Sequence, residues 1–304
     1  MKFIYIIIAH EEPALVSRMV QRLDGPESRF LIHVDKKTKP DIFRRYQEAF
    51  KGKTNVELLA RMEVYWGDFS IVQVELNAMA FIREKNFDFD YVLLLSGTHY
   101  PIKSKQAIQE YFEKNKGHLF LEYWKLPTSM HHWDMEEGGM GRLCYWHLMR
   151  LPFLEHLMYW RLRPFLKKIG LNGIIQRRYV FDLQPYGGWQ WWCLDKEAVE
   201  YILEFVSTHQ KFVSFFRFTL VPDETFIHTV LLNSSQKDRI INDNLVYSRW
   251  PSEKFPHPCP LSRQELGLMA GSEKLFARKL DYAADPGFFD AIDHACHREG
   301  AQDD

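Results

Sequence analysis

The stretch FIYIIIAHEEP, residues 3–13, decides the fold class of this 304-residue chain. Its first seven residues are apolar and largely β-branched or aromatic, which predicts a buried strand from Phe3 to Ala9. Pro13 then begins a helix, because proline is favoured in the first helical turn. The run is too short to span a bilayer and lacks a small-residue cleavage site, so we interpret it as the first strand of a sheet.

The same order of strand and helix recurs through the first 124 residues. Strands are predicted at residues 29–34, 56–60, 91–96 and 118–122, and helices at residues 69–83 and 104–113. This alternation, without two-residue hairpin turns, favours an α/β fold with a largely parallel, doubly wound sheet. Ligands bind at the carboxyl ends of the strands in such sheets, so His10, Asp35, Arg61 and the turn at residues 97–100 are expected along one edge.

We treat residues 1–304 as a single domain and divide it by composition. The divisions are a nucleotide-binding half (1–124), a basic helical insert (141–180), an acceptor-binding and catalytic half (181–285) and a C-terminal tail (286–304). The insert mixes aromatic and leucine residues with eight Arg and Lys residues, and Glu155 is its only acid. Two interpretations stay open for it: a solvated or acceptor-binding helical segment, or an amphipathic helix on an anionic membrane.

Composition narrows the function classes. A net charge of -1 gives no support for a nucleic-acid partner. The four cysteines form no CxxC pair, which predicts neither a zinc site nor a disulfide framework and favours a reducing compartment. Aromatic residues make up 15% of the chain, more than a core usually needs, and flat rings in a groove suit the apolar faces of sugars.

The segment VPDET, residues 221–225, supplies a candidate catalytic carboxylate. Pro222 is expected to end a strand and Asp223 to cap the next helix, which places Glu224 in that helix's first turn. The helix dipole favours the ionised carboxylate there, and an ionised carboxylate can accept a proton from a sugar hydroxyl. The alternative is an ordinary acid that only stabilises the helix.

The segment FARKLD, residues 276–281, supplies adjacent cations in a nearly neutral chain. The planar fork of Arg278 and the compact charge of Lys279 suit neutralisation of a diphosphate. The alternative is a solvated pair of basic residues. Arg249 and Arg263, in the proline-rich segment upstream, are further candidates for the same positive pocket.

The sequence favours a site without a metal. Asp88 and Asp90 have the spacing of a metal-binding turn, but they precede the strand at residues 91–96 and so belong at its amino end. His131, His132 and Asp134 offer ligand types, but adjacent side chains diverge on either regular element. The sequence also contains neither GxGxxG nor GxxxxGK[ST], which argues against dinucleotide and P-loop sites.

Seven segments together resemble the core-2/I-branching β1,6-N-acetylglucosaminyltransferase and peptide O-xylosyltransferase family. They are IIIAHEEP (6–13), FLIHVD (30–35), RMEVYWGDFS (61–70), YVLLLSGTHYPIKS (91–104), GGWQWWCL (187–194), LVPDETFIHTVLLNS (220–234) and LFARKLD (275–281). The resemblance implies a GT-A-like, Rossmann-related fold and a UDP-sugar donor carrying N-acetylglucosamine or xylose. It also implies inversion at the anomeric carbon and side-chain cations instead of a metal at the pyrophosphate, with no cofactor.

The resemblance further implies a role for individual residues. Glu224 matches the catalytic base, Arg278 and Lys279 match the residues that bind the diphosphate, and Arg249 is assigned as the second pyrophosphate arginine. UDP-sugar contacts are also implied at His10, Asp35, Arg61, Val64 and Tyr65, and contacts in the donor and acceptor groove at His99, Gly188, Trp189, Gln190 and Trp191.

Two departures from the family pattern shape the expected biology. Relatives have an acid in the SGxDYPIK motif where this chain has His99, which predicts an altered sugar contact. Animal members carry a membrane anchor and many cysteines, both missing here, so we expect a bacterial, cytoplasmic member of surface polysaccharide synthesis, peripheral on the inner face of the cell membrane. Its acceptor would be a glycan or a lipid-linked oligosaccharide. The rivals are a non-catalytic glycan- or nucleotide-binding protein on the same fold and a metal-dependent hydrolase.

Overall fold

The computed structural model describes residues 1–130, 133, 137–250 and 258–298. Ten strands and twelve α-helices lie within these ranges. The strands are β1 (Phe3–Ala9), β2 (Ser28–Val34), β3 (Val56–Leu58), β4 (Tyr91–Ser96), β5 (Tyr100–Pro101), β6 (Leu119–Lys125), β7 (Tyr186–Asp195), β8 (Ile240–Ile241), β9 (Val246–Ser248) and β10 (Phe276–Arg278). The helices are α1 (Pro13–Leu23), α2 (Pro40–Ala49), α3 (Ser70–Glu84), α4 (Lys105–Lys114), α5 (Met140–Cys144), α6 (Pro152–Leu157), α7 (Arg163–Lys168), α8 (Lys196–Thr208), α9 (Gln210–Phe216), α10 (Phe226–Leu232), α11 (Leu266–Ala270) and α12 (Pro286–Arg298).

A seven-stranded sheet in the order β3-β2-β1-β4-β7-β6-β8 forms the centre of the fold. β1 lies parallel to β2 and β4, whereas β7 is antiparallel to β4 and β6. A second sheet joins three short strands in the order β5-β10-β9. The predicted α/β class and mostly parallel sheet are confirmed, and the arrangement agrees with the GT-A-like fold that the resemblance implies.

The apolar run that begins the chain is the middle of this sheet. Six of the seven residues of β1 are buried, because neighbouring strands cover both its edges and helices cover the faces of a parallel sheet. Tyr5 stacks on Phe30 of β2 with ring centroids 5.2 Å apart. The predicted bounds of β1, β2 and β4 hold to within one residue.

The chain around the candidate base differs from the prediction. Val221 has a left-handed backbone with φ of 50°, and residues Pro222–Glu224 form a 3₁₀ turn. The predicted strand end at Pro222 is therefore wrong. The predicted capping role of Asp223 is also wrong, because α10 begins only at Phe226 and the Asp223 side chain is buried beneath the turn. Glu224 consequently lies before the helix, not in its first turn.

Residues 286–298, treated above as part of a tail, form α12 and pack against α1. Arg18 of α1 donates hydrogen bonds to Asp290 and Asp293 of α12 at 2.6 Å each. The Tyr100 hydroxyl donates to Asp293 at 2.9 Å, and Phe289 is fully buried. This helix therefore belongs to the folded body. None of the helices in the described parts of the chain has the length and hydropathy needed to cross a bilayer.

Gly188 in β7 has no space for a side chain. A Cβ built there would lie 2.0 Å from the carbonyl oxygen of Glu122 and 2.3 Å from the ring of His228. We predict that Gly188→Ala lowers the free energy of unfolding by about 1–3 kcal/mol, because backbone and ring must move apart.

Chemical denaturation measures this change. Gly267→Ala in α11 is the matched control, since a Cβ there meets open space. If Gly188→Ala and Gly267→Ala unfolded at the same denaturant concentration, the close packing around Gly188 would be contradicted.

Candidate functional site

Three parallel strands bring their carboxyl ends to one edge of the sheet. The amide of Asp35, after β2, donates to the carbonyl of Ala9 at the end of β1 at 2.9 Å. The amide of Gly97, after β4, donates to the carbonyl of Ile8 at 2.9 Å. A Cβ on Gly97 would lie 3.3 Å from that of Ala9, so the turn approaches β1 closely. The predicted gathering of these segments is confirmed.

The Asp35 carboxylate organises the loop at residues 61–65. It accepts a hydrogen bond from the amide of Lys37 at 2.8 Å and one from the amide of Val64 at 3.4 Å. His33, also on β2, accepts from the amide of Met62 at 3.0 Å, and burial lowers the pKa of this histidine to about 4. A neutral imidazole and a carboxylate thus fix the loop against β2.

The side chain of Arg61 is hydrogen-bonded to backbone groups at and just after the end of β2. Its guanidinium donates to four carbonyls, those of Val34, Asp35, Lys36 and Thr38. A direct contact with a ligand competes with these bonds. Arg61 therefore shapes the binding edge, and its predicted contact with UDP-sugar stays a prediction.

His10 and Tyr65 present more accessible groups at this edge. The His10 side chain is 68% exposed and lies 3.6 Å from a carboxylate oxygen of Glu11. The Tyr65 hydroxyl donates to Glu63 at 2.6 Å, and Lys37 Nζ lies 4.1 Å from the centre of the Tyr65 ring. An aromatic ring beside a cation suits the base and phosphates of a nucleotide.

The FARKLD segment joins this edge through the second sheet. The amide of Leu280 donates to the carbonyl of Thr98 at 3.0 Å, which holds Arg278 and Lys279 beside the turn after β4. Lys279 is exposed. The Arg278 guanidinium lies 4.6 Å from the centre of the Trp191 ring, and burial lowers the pKa of this arginine to about 10, against the attraction of Glu224 and Asp223. It is still a cation at neutral pH.

The two further arginines differ in position. Ser248, the residue before Arg249, is the register partner of Arg278 in the parallel β9–β10 pair. Arg249 also forms an ion pair with Glu265 at 2.9 Å. Arg263 instead pairs with Asp285 at 2.7 Å, so Arg249 is the better placed of the two.

Glu224 forms an ion pair that the sequence analysis did not foresee. Arg142 Nη1 donates to Glu224 Oε2 at 2.7 Å, and the two side chains are 14% and 19% exposed. The Arg142 guanidinium also lies 3.6 Å from the centre of the Trp133 ring. Glu224 is thus held in one orientation by a cation that is itself fixed by an aromatic ring.

Two buried carboxyls lie behind Glu224. Burial, and then the charge of Glu224, raise the pKa of Asp223, and its Oδ1 has no hydrogen-bond partner among the described residues. Glu75 on α3 is fully buried and accepts from Gln190 Nε2 at 3.1 Å and from Trp192 Nε1 at 3.4 Å. Burial, and then the charge of Asp223, raise the pKa of Glu75 well above its usual range.

The predicted groove residues of β7 fall into two groups. Trp191 lies beneath Arg278. It also contacts the fully buried His99 edge-on, with ring centroids 4.3 Å apart. Trp189 stacks on Trp250 at 4.7 Å. Gly188 and Gln190 instead face packed protein, because Gly188 abuts His228 and Gln190 donates to Glu75.

His99 acts on the turn that contains it. Its Nδ1 accepts a hydrogen bond from the amide of Ser96 at 3.0 Å. Burial, and then the charge of Arg278, lower the pKa of this histidine well below its usual range. Because it is fully buried, His99 supports Trp191 from behind instead of lining an open groove, and its predicted sugar contact stays a prediction.

The metal candidates are remote or undescribed. Asp88 and Asp90 lie before β4, as predicted, and contact Lys2 at 2.6 and 2.7 Å. His131, His132 and Asp134 lie outside the described residues. In the part of the chain that the structure describes, no three His, Cys, Asp or Glu side chains cluster in a way that could hold a metal ion. Metal independence stays a prediction.

The model of the Core-2/I-Branching enzyme family matches residues 3–270, a range that contains β1, the Asp35 edge and the Glu224 turn. The chain belongs to the Core-2/I-branching enzyme family. This family is one of glycosyltransferases, the enzyme class that the motifs predict.

Relatives and solved structures add detail to this assignment. Xylosyltransferase 2 of Rattus norvegicus is 26% identical over 256 residues, which are 81% of this chain and 26% of that protein. Xylosyltransferase oxt of Drosophila melanogaster is 25% identical over 242 residues, 77% of this chain and 24% of that protein. The chain thus spans about a quarter of the length of these relatives. The apo structure of mouse xyloside xylosyltransferase 1 is 10% identical with a TM-score of 0.37, covering 90% of this chain and 97% of that one, too low a similarity to support an argument.

The raised pKa of Glu75 predicts a pH-dependent stability. Between the usual carboxyl pKa, about 4.3, and the raised value, the folded chain keeps a proton that the unfolded chain releases, so stability falls as pH rises. We predict that Glu75→Gln, which has no charge to bury, gains on the order of 1 kcal/mol relative to the native chain between pH 5 and pH 8.

Thermal unfolding across this pH range measures the effect. Glu84→Gln, at an exposed position on the same helix, serves as the control. Parallel stability curves for the native chain and Glu75→Gln would show that Glu75 is ionised in the fold.

Proposed function

We propose that this chain is an inverting, metal-independent glycosyltransferase that moves N-acetylglucosamine or xylose from a UDP-sugar to a hydroxyl of a glycan. The observation that carries the proposal is the position of the Glu224 carboxylate. Arg142 orients it through an ion pair, and the cation of Arg278 is close enough to attract it. Family membership supports glycosyl transfer. The names of the relatives support xylose as one of the two donor sugars.

The reaction is a single in-line displacement. Glu224 takes a proton from the acceptor hydroxyl as its oxygen bonds to the anomeric carbon, and the bond from that carbon to the UDP oxygen breaks on the opposite face. A positioned base contributes typically about a hundredfold or more. Arg278 and Lys279 stabilise the negative charge that grows on the β-phosphate, a contribution often worth about 3 kcal/mol.

The buried carboxyls set the charge balance of the site. Because burial raises the pKa of Asp223 and Glu75, these groups favour their neutral forms behind Glu224. The raised pKa of these two carboxyls reduces the negative charge near the departing diphosphate. Arg142 acts as a positioning residue, since its ion pair fixes the direction of the Glu224 carboxylate before the acceptor binds.

The donor is expected along the edge formed by β1, β2 and β4. Asp35, whose carboxylate already holds Val64, lies at the position where acids contact the ribose in related α/β folds. His10 and Tyr65 flank the nucleoside, and Arg278, Lys279 and Arg249 surround the diphosphate. Trp191 forms the floor beneath Arg278.

The proposal extends to the acceptor and the place of reaction. We infer a bacterial enzyme of surface polysaccharide synthesis that acts on a lipid-linked oligosaccharide at the inner face of the cell membrane. The helical insert supports this inference, because it presents exposed aromatic and basic side chains near the catalytic turn.

Replacement of the base tests the reaction directly. Glu224→Gln keeps the size of the side chain but cannot accept a proton, so we predict that transfer falls by about a hundredfold or more while UDP binding is retained. Kinetics of transfer, with calorimetry of UDP binding, measure both quantities. Glu110→Gln, at an exposed position on α4, is the control. Full transfer by Glu224→Gln would favour a non-catalytic binding role for this carboxylate.

Loss of the positioning cation tests the ion pair. We predict that Arg142→Met moves the acidic limb of the pH–rate profile to higher pH, because the ionised form of Glu224 loses the charge that favours it. Methionine preserves contact with Trp133, so the fold is expected to survive. Superimposable profiles for the native chain and the variant would remove Arg142 from the mechanism.

Chelation tests the role of side-chain cations. Many transferases slowly hydrolyse their own donor, so a panel of UDP-sugars without acceptor reports the donor and the metal requirement together. We predict an unchanged rate in EDTA, because Arg278 and Lys279 supply the positive charge at the diphosphate. A rate that vanishes in EDTA and returns with a divalent cation would overturn the metal-independent mechanism.

A further inference from the structure

Residues 151–180 carry a concentrated group of exposed apolar side chains, here called the insert surface. Eleven of the sixteen exposed large hydrophobic residues of the described chain lie in it. They are Leu151, Phe153, Leu154, Leu157, Trp160, Leu162, Phe165, Ile169, Leu171, Ile174 and Val180. Phe153 is 79% exposed and Trp160 63%. So many exposed apolar side chains within one 30-residue segment are typical of a site of interaction.

The helices of the insert turn polar groups toward the protein. Glu155 of α6 is hydrogen-bonded to His147 Nδ1 at 2.9 Å and accepts from the amide of Leu148 at 2.6 Å. Arg163 of α7 is buried, with its guanidinium 3.2 Å from the centre of the Tyr145 ring. A helix of a soluble protein usually buries its apolar face. Here ionisable side chains and Leu166 anchor the helices, and most of the other apolar side chains are exposed.

The chain after α7 ties the insert to the catalytic half. Arg177 donates to the carbonyls of Phe218, at 2.7 Å, and Phe215. Gln176 and Tyr145 form an antiparallel bridge. These contacts on both sides of the helices prevent the insert surface from turning inward, so no described part of the chain covers its apolar side chains.

The charge of the insert surface identifies the chemistry of that partner. Its exposed cations are Arg161, Lys167, Lys168 and Arg178. Glu155 is the sole acid from residue 151 to residue 180, and its carboxylate is taken up by His147 and Leu148. Aromatic and aliphatic side chains mixed with cations, without exposed acids, match the boundary between anionic headgroups and acyl chains of a bilayer.

We propose that residues 151–180 bind the surface of an anionic lipid bilayer. The apolar side chains enter the boundary between headgroups and acyl chains, and the four cations contact lipid phosphates. Binding is peripheral, with helices α6 and α7 lying along the membrane plane.

A cleft lies beside the insert surface. It has a volume of about 480 Å³ and is lined by Phe69, Leu148, Arg150, Leu151, Arg217 and Phe218 among others. Leu151 belongs to both cleft and insert surface. Asp68 also lines the cleft and follows Gly67, whose carbonyl accepts a hydrogen bond from the amide of Val221, three residues before Glu224. Membrane binding is inferred from the exposed apolar and basic side chains of the insert surface. A lipid-linked acceptor in the cleft rests, in addition, on the proposed function.

Vesicle flotation with the full chain tests the proposal. Vesicles of phosphatidylcholine that contain about 30% phosphatidylglycerol are compared with vesicles of phosphatidylcholine alone. The anionic lipid gives the first vesicles the negative surface charge that attracts polybasic protein surfaces. We expect the chain to float with the anionic vesicles and to bind them at least tenfold more weakly after Phe153→Ser, Trp160→Ser and Phe165→Ser are combined. Arg161→Gln, Lys167→Gln and Lys168→Gln together are expected to remove the preference for anionic over neutral vesicles.

Controls separate membrane binding from folding and catalysis. Leu268→Ser, at a 65% exposed position on α11, should leave flotation unchanged. Hydrolysis of UDP-sugar in solution should be the same for the triple serine variant and the native chain, which also reports that the variant is folded. Failure of the native chain to bind anionic vesicles would overturn the proposal, and so would equal binding by the serine variant. A dimer in sedimentation that the serine variant abolishes, without vesicle binding, would assign the surface to a second copy of the chain.

Discussion

The ion pair between Arg142 and Glu224 is the interaction on which the site depends. It joins the helical insert to the turn that carries Glu224, the proposed base, across 82 residues of sequence. Backbone bonds reinforce it, since the amide of Leu220 donates to the carbonyl of Arg142 and that of Val221 to the carbonyl of Gly67. The insert, the segment at Gly67 and the turn at residues 220–224 therefore hold one another in place, and contacts on both sides maintain the left-handed backbone of Val221.

The electrostatics of the site follow from burial around this pair. Glu224 stays partly open and paired with a cation, whereas Asp223 and Glu75 are withdrawn from water, which raises the pKa of both. The cations of Arg278 and Lys279 approach from the second sheet. Negative charge is thus favoured at Glu224, the proposed base, and positive charge gathers at the proposed diphosphate site.

The fold was largely predictable because hydrophobic patterning is local. The apolar patterns of β1, β2 and β4 predict buried strands. Because ligands bind at the carboxyl ends of parallel strands, the same patterns place His10, Asp35 and the turn after β4 together.

The turn before α10 was mispredicted because Asp223 has the residue type of a helix cap, whereas tertiary contacts bury it. Arg142 and Glu75 were missed because their partners are distant in sequence. Glu75 did leave a signal in the sequence, because it is an acid among the apolar residues of a helical face that is otherwise buried. For Arg142 no local signal existed.

The most direct test of the account is a crystal structure of the chain with UDP and an acceptor sugar. The account predicts the Glu224 carboxylate within about 3 Å of an acceptor hydroxyl, a hydrogen-bond distance, with Arg278 and Lys279 on the diphosphate oxygens. A divalent ion bridging the two phosphates, or an acceptor bound away from Glu224, would contradict it.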